Sequence, residues 1–379
     1  MAHKTREQAI PRGAAAAARD AGQIVLVLQG GGALGAYQVG VYEALHEAGL
    51  EPDWVIGTSI GAINGAIIAG NPPEQRLEKL KRFWESVQGR SRSHLTQWWP
   101  AAAASLANME IYTHGIAGFF GHNPLAAWGA HLPLGIEQAA FYTTAPLLET
   151  LMELADFDYI NRRNGRLTLG AVNVQTGDMH YFDSREQTLT AKHVMASGAL
   201  PPAFPAVRVD GELYWDGGIY SNTPIEVILD DKPRRNSLIF SANVWHARGP
   251  EPQSILQVLA RQKDIQYASR GKSHIARQQQ IHRMRHMIRE LGKHIPPEKR
   301  DALTCELLDY GCATVMHVVR LAAPRIDRED HTKDIDFSPA GVHARWKAGY
   351  EHTRRMIECA PWRREVDAMD GIIIHEEDV

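Results

Sequence analysis

Val55-Ile56-Gly57-Thr58-Ser59-Ile60-Gly61-Ala62-Ile63-Asn64-Gly65 reads as an apolar strand that stops abruptly and turns into a helix rich in small residues. Gly57, Ser59 and Gly61 spell GxSxG, the pattern in which a serine sits on a sharp strand-to-helix turn with its hydroxyl exposed. Ser59 is the candidate nucleophile. Glycine and serine also serve as plain N-caps at such turns, so catalysis needs support from elsewhere in the chain.

Working outward toward the N-terminus, residues 24–28 form a β-branched apolar run of the kind buried on both faces of a sheet, and Gln29-Gly30-Gly31-Gly32 follows directly. Residues 34–48 carry apolar side chains at helical spacing and stop at Gly49. A second short strand over 54–56 leads into the serine turn. The helix after it ends at Gly70-Asn71-Pro72-Pro73, and an amphipathic helix occupies 74–87. Alternating strands and helices predict a central, mostly parallel sheet with helices on its faces.

Working toward the C-terminus, residues 89–145 show no sustained period and mix Trp98, Trp99, Phe119, Phe120 and Trp128 with Gly, Pro and Ala. They read as an inserted cap, either packed on the core or forming a lid over the entrance to Ser59. Residues 167–174 and 179–182 flank a turn at Gln175-Thr176-Gly177-Asp178, and residues 206–209 and 212–215 are joined by Asp210-Gly211, a strong hairpin signal. This second hairpin ends in Asp216-Gly217-Gly218. A buried strand is expected over 238–244, a long helix over 254–291 interrupted near Gly271, a strand over 314–321 and a helix over 339–358. The acidic segment from Asp367 onward reads as peripheral.

At 379 residues, 44% hydrophobic and 22% charged, the chain has globular composition and ample length for a large core. A net charge of −3 gives no global bias toward nucleic acid, and none is expected as a partner. Three cysteines, Cys305, Cys312 and Cys359, lack metal-site spacing or an even count for a disulfide framework. Residues 1–20 are expected to be a mobile leader, with no secretory pattern and no apolar run of membrane-spanning length. The expected compartment is the cytoplasm. One local bias stands out: Lys272, His274, Arg277, His282, Arg283, Arg285, His286 and Arg289 are opposed only by Glu290. That run is a solvated face or a peripheral contact for an anionic membrane surface.

A serine hydroxyl becomes a nucleophile when a base takes its proton, and the oxyanion it creates needs preorganised donors. Gly30, Gly31 and Gly32, at the end of a buried strand and the start of a helix, can turn backbone N–H groups toward that charge. Asp216 ends a strand, and Gly217 and Gly218 after it let its carboxylate approach another loop closely. It is the candidate general base.

GGGALG near the start, GTSIG about 25 residues later and DGG after a hairpin resemble the patatin-like lipid acyl hydrolases. The likeness runs over residues 24–245 and includes Phe204-Pro205 and Asn222-Thr223-Pro224. It implies a three-layer α/β/α fold and a dyad without histidine, Ser59 as nucleophile and Asp216 as base, with glycines 30–32 as oxyanion hole. It also implies an acyl-lipid substrate hydrolysed through an acyl-enzyme by phospholipase A, lysophospholipase or esterase chemistry, without cofactor or metal. Leu34 departs from the pattern, since many members carry Arg or Lys there. Residues 21–250 would form the catalytic domain, and residues 251–379 a mostly helical extension resembling that of a bacterial subgroup.

Three rival readings stand beside this one. Gly30, Gly32 and Gly35 also fit the dinucleotide GxGxxG, with Glu51 and Asp53 about 20 residues on, although those acids precede the second strand. A histidine-based hydrolase is the second, with His246 as the candidate third member. A non-catalytic lipid- or protein-binding scaffold is the third, against which the intact Ser59, Asp216 and glycines argue.

Overall fold

The structure, a computed structural model, describes residues 18–88, 115–129, 131–326, 331–367 and 369–377. The leader up to residue 17, Trp98, Trp99 and the side chain of Trp128 lie outside the described residues.

The first unit comprises β1 (Gln23–Leu28), a 3-10 turn (Gly32–Gly35), α1 (Ala36–Glu47), β2 (Trp54–Thr58), α2 (Ile60–Ala69) and α3 (Pro73–Val87). A small hairpin of β3 (Gly121–His122) and β4 (Tyr142–Thr143) follows, then α4 (Ala145–Leu154) and α5 (Phe157–Asn161). Next come β5 (Arg166–Asn173), β6 (Met179–Asp183), α6 (Ala191–Ser197), β7 (Val207–Val209), β8 (Glu212–Asp216), α7 (Glu226–Leu229) and β9 (Ser237–Asn243). The chain ends with α8 (Ile255–Lys293), α9 (Ala302–Asp309), β10 (Met316–Ala322), α10 (Pro339–Cys359) and β11 (Ile372–His375).

Six strands run parallel in the order β11-β10-β9-β1-β2-β5, and β6, β7 and β8 are antiparallel additions at the β5 end. Alternation along β1 sorts its side chains between two cores. Ile24, Leu26 and Leu28 face α1, α2, α3 and α10, while Val25 and Val27 join Ile56, Ile239, Ile225 of the turn into α7 and Ile275 of α8. The result is a central, mostly parallel sheet between two helical layers.

Both predicted hairpins are present, with Asp210 and Gly211 at positive φ in the second turn. Three expectations change. The helix α8 runs unbroken through Gly271, whose missing side chain faces Thr223 at ordinary contact distance and leaves the helix its backbone bonds. The acidic segment is not peripheral throughout: Ile372, Ile373 and Ile374 are β-branched, and they pair with β10 as the edge strand of the main sheet. The expected leader is docked at its end, where Arg19 donates to Asp53 at 2.6 Å and to the Glu51 carbonyl at 2.9 Å.

The described part of the cap is packed. Phe119 and Phe120 are buried against Phe204, Tyr142 and Phe337, with ring centroids 4.9–6.1 Å apart. Among the described residues, no helix is long and apolar enough to cross a membrane.

Candidate active site

The register around β5 brings the two chemistry-bearing residues together. The strand β2 pairs with β5 up to Thr58 opposite Gly170, where the chain turns away at Ser59. The next residue of β5, Ala171, pairs with Asp216 of β8. Since β6 occupies the other edge of β5 over Thr168–Val172, β8 must take the edge that β2 vacates. Ser59 leaves the sheet at the rung where Asp216 enters it.

Ser59 has φ 57° and ψ −124°, a backbone conformation that a residue with a side chain adopts only at a cost. The flanking glycines make this turn sterically feasible. A Cβ on Gly57 would lie 2.3 Å from the Gly61 carbonyl oxygen, and one on Gly61 would lie 2.2 Å from that of Leu28. The end of α6 and the turn after it hold both halves of the pair: the Ser59 N–H donates to the Ser197 carbonyl at 3.1 Å, and the Asp216 N–H to that of Ala199 at 3.0 Å. Ser197 Oγ in turn donates to the Gly170 carbonyl at 2.6 Å.

Asp216 is 2% exposed. Burial pushes its carboxyl up to about 6, against the opposing pull of the Ser59 hydroxyl and of the Gly218 N–H, which donates to Asp216 Oδ1 at 2.6 Å. The Ser59 side chain thus acts on Asp216 as a hydrogen-bonding neighbour. A carboxylate with this pKa is ionised at neutral pH and more basic than an exposed one. Gly217 lets the turn lie against β5, since a Cβ there would be 2.5 Å from the Gly170 carbonyl oxygen.

The three loop glycines are not equivalent. Gly30 passes so close to the serine that a Cβ on it would be 3.0 Å from Ser59 Cβ and 2.2 Å from Asn222 Oδ1. Its N–H donates to the Asn222 carbonyl at 3.1 Å, so it is not free to receive an oxyanion. Its carbonyl accepts from Asn222 Nδ2 at 3.0 Å and from Trp245 Nε1 at 2.7 Å. Gly31 and Gly32, by contrast, have N–H groups that none of the hydrogen bonds among the described residues uses. Gly32 has φ 55° and would place a Cβ 2.2 Å from the Asp334 carbonyl oxygen, which accepts the Ala33 N–H at 2.8 Å. Leu34 is buried in the apolar core, so no cation enters the loop from that position.

Several supporting residues carry no motif that would reveal them. Gln29, 1% exposed, accepts the N–H groups of Val244 and Trp245 at 2.6 and 3.1 Å, and it donates to Thr223 Oγ1 at 2.7 Å and to the Tyr267 carbonyl at 3.1 Å. Asn64 donates to Gly35 and Gln38 and accepts from Trp84 Nε1, tying the loop to α2 and α3. Tyr267 of α8 packs on Trp245 with ring centroids 4.9 Å apart and planes tilted by 35°, and burial together with the charges of Asp216 and Asp334 pushes its phenol up to about 12. A buried polar residue beside a glycine loop was the only sequence cue for Gln29. Asn222 could be named only as part of the family-like Asn-Thr-Pro.

The rival residues are engaged elsewhere. Glu51 pairs with Arg76 at 2.6 Å, and Asp53 accepts the Ile24 N–H at 2.8 Å, both at the end of the sheet remote from Ser59. His246 lies beside Lys333, Arg325 and Arg261, and burial with those charges holds it down to about 4. The groups acting on Asp216 are Ser59 and Gly218, and no histidine is among them. In the basic run of α8, His282 and His286 are buried against the carbonyls of Leu229 and Thr314, and His274 pairs with Glu226 at 3.4 Å. Among the described side chains of that run, Arg277, Arg283 and Arg289 are exposed cations. Among the described residues, no group of His, Cys, Asp and Glu could hold a metal ion.

A sequence profile described as patatin-like phospholipase matches residues 26–229, more than half of the chain. The chain belongs to the patatin-like phospholipase family. A second profile, described as patatin phospholipase, matches residues 265–369. A patatin-like phospholipase domain-containing protein of Caenorhabditis elegans is 28% identical over 54% of this chain, a region that is 12% of that protein. A lysophospholipase of Candida glabrata is 25% identical over 58% of this chain and 10% of its own length. The chain thus spans about a tenth of these relatives. Among solved structures, VipD of Legionella pneumophila aligns with 89% of this chain and 67% of its own at 17% identity, with a TM-score of 0.37 that bears no weight for function.

Proposed function

We propose that this patatin-like phospholipase is a serine lipid acyl hydrolase acting through a Ser59–Asp216 dyad. The observation that carries the reading is the shared rung at Ala171, where β2 gives way to β8 and the serine meets a buried, basic carboxylate.

Asp216 takes the Ser59 proton as Oγ attacks the ester carbonyl, and the oxyanion forms against the N–H groups of Gly31 and Gly32. Gly30 serves this loop as a spacer and anchor, not as a donor. Collapse of the tetrahedral intermediate breaks the ester C–O bond, and Asp216 returns its proton to the departing alcohol. Water, deprotonated by Asp216, then attacks the acyl-enzyme, and the acid leaves as Ser59 regains its proton. The scheme calls for no cofactor.

The direct test is covalent labelling by a fluorophosphonate, mapping of the modified peptide, and assay against a panel of acyl lipids. Labelling at Ser59 that Ser59→Ala abolishes, with loss of hydrolysis in both Ser59→Ala and Asp216→Ala, supports the dyad. Near wild-type turnover by a folded Asp216→Ala protein rejects it.

A further inference from the structure

The first turns of α8 carry an apolar face that is turned to solvent. Ile255 is 80% exposed, and Leu256, Val258, Leu259 and Ile265 are 43–52% exposed. At 100° per residue the first four fall within an arc of about 160°, a single broad apolar face, and their exposure shows that this face is turned to solvent and not packed on the body. Val258 and Ile265 line a groove of about 430 Å³ together with Arg261.

This helix end lies beside the candidate site. It is held to the body from Arg261, which donates to the His246 and Ala247 carbonyls at 3.0 and 2.7 Å. Two turns further on, the Tyr267 carbonyl accepts from Gln29, the residue that precedes the glycine loop. With a rise of 1.5 Å per residue, Ile255 stands about 18 Å along the helix from that level.

Cations ring the base of the projection. Arg325 donates to the Arg248 carbonyl at 2.8 Å, and Arg261 bonds the backbone as above. Among the described residues, none of Arg248, Arg261 and Arg325 has a carboxylate partner. The nearby Asp264 and Asp334 pair with Lys333 at 2.7 Å and Lys263 at 2.8 Å, and Glu251 is exposed.

We propose that the exposed apolar face of Ile255, Leu256, Val258 and Leu259 is a wedge that enters the head-group region of a phospholipid bilayer, with Arg248, Arg261 and Arg325 meeting the phosphates around it. An apolar tip above a collar of arginines that have no carboxylate partner among the described residues matches the depth profile of a bilayer surface, acyl boundary first and phosphate next. A second copy of this chain is the poorer occupant, because apposing two such collars sets like charges against each other. The wedge rests on the reading of Ser59 as a lipid hydrolase, since it delivers the site mouth to the surface that holds the substrate. It also moves the membrane contact from the arginines at 277–289, about 39 Å further along the helix between segment centres, to the N-terminal end of α8.

The test uses the full chain carrying Ser59→Ala, so that binding is read without turnover, and vesicles of phosphatidylcholine with a minor fraction of phosphatidylglycerol. The parent is expected to cosediment with the vesicles. Ile255→Gln, Leu256→Gln, Val258→Gln and Leu259→Gln together lower that binding by about tenfold or more, with an unchanged melting temperature because the positions are exposed. Arg248→Gln with Arg325→Gln weakens binding and flattens its dependence on salt. With Ser59 restored, the four-fold glutamine variant keeps the wild-type rate on a water-soluble short-chain ester and loses hydrolysis of vesicle lipid. Failure of the parent to bind, or undiminished binding by the glutamine variant, overturns the proposal. So does a parent dimer that the variant converts to monomer, which makes the surface a self-contact. Loss of vesicle binding in a protein that hydrolyses no ester sustains the wedge and defeats the activity.

Discussion

Asn222 and Gly30 hold each other twice: the Gly30 N–H donates to the Asn222 carbonyl at 3.1 Å, and Asn222 Nδ2 donates back to the Gly30 carbonyl at 3.0 Å. This pairing sets the height of the glycine loop beside Ser59. Asn222→Ala keeps the backbone half and loses the other, leaving the Gly30 carbonyl with Trp245 alone. Turnover of a soluble ester is expected to fall about tenfold to a hundredfold, as small misplacements of catalytic groups do, with KM little changed. Steady-state kinetics on the purified variant checks this.

The pKa of Asp216 makes two linked predictions. Its ionised form is the base, so kcat/KM should rise with pH through about 6 and level off above it. Asp216→Asn should abolish that limb and reduce turnover on the order of 10³-fold or more. Stability moves the other way. A folded pKa near 6 against an unfolded value of 3.8 means that the folded state binds the proton more tightly. The stability this contributes is complete below pH 4 and is lost as pH rises through 6. By linkage the loss is roughly 3 kcal/mol, so Asp216→Asn should melt above wild type at pH 8 and near it at pH 4.

Gly61→Ala tests the turn. Its Cβ would stand 2.2 Å from the Leu28 carbonyl oxygen, a backbone atom that cannot rotate away. We expect destabilisation of about 3 kcal/mol or more, visible as a lowered urea midpoint, along with loss of fluorophosphonate labelling.

The loop over the glycine turn is fastened by a buried ion pair, Lys333 with Asp264, whose side chains are 6% and 7% exposed. Lys333→Met strands a buried carboxylate and should cost about 3–5 kcal/mol. Replacing both partners, with Asp264→Leu added, should recover most of that in a double-mutant cycle of thermal melts.

The strands and helices nearest the serine were legible because each carries one clear period: β-branched runs at 24–28 and 54–56, and apolar spacing at 34–48 and 74–87. The GxSxG and DGG segments were legible as chemistry because glycine marks where backbones touch. What stayed hidden depends on partners far along the chain. That Gly30 spends its N–H on Asn222, 192 positions away, follows only from the packed loops. The strand at 372–375 was masked by the acidic residues around it, although its isoleucines find β10. The inward turn of His282 and His286 could not be told from a charged surface, because a helix pattern gives spacing and not which layer lies above it.

The sheet does not end where the first profile ends. Strand β9, buried along its whole length, is flanked by β1 on one side and by β10 on the other, and β10 is covered by β11. A chain shortened to residue 250 would therefore bare a long apolar ladder with unfilled amide and carbonyl groups, an invitation to intermolecular β-pairing. The two separately matched segments ought to denature in one cooperative step, and attempts to express the first without the second should end in inclusion bodies.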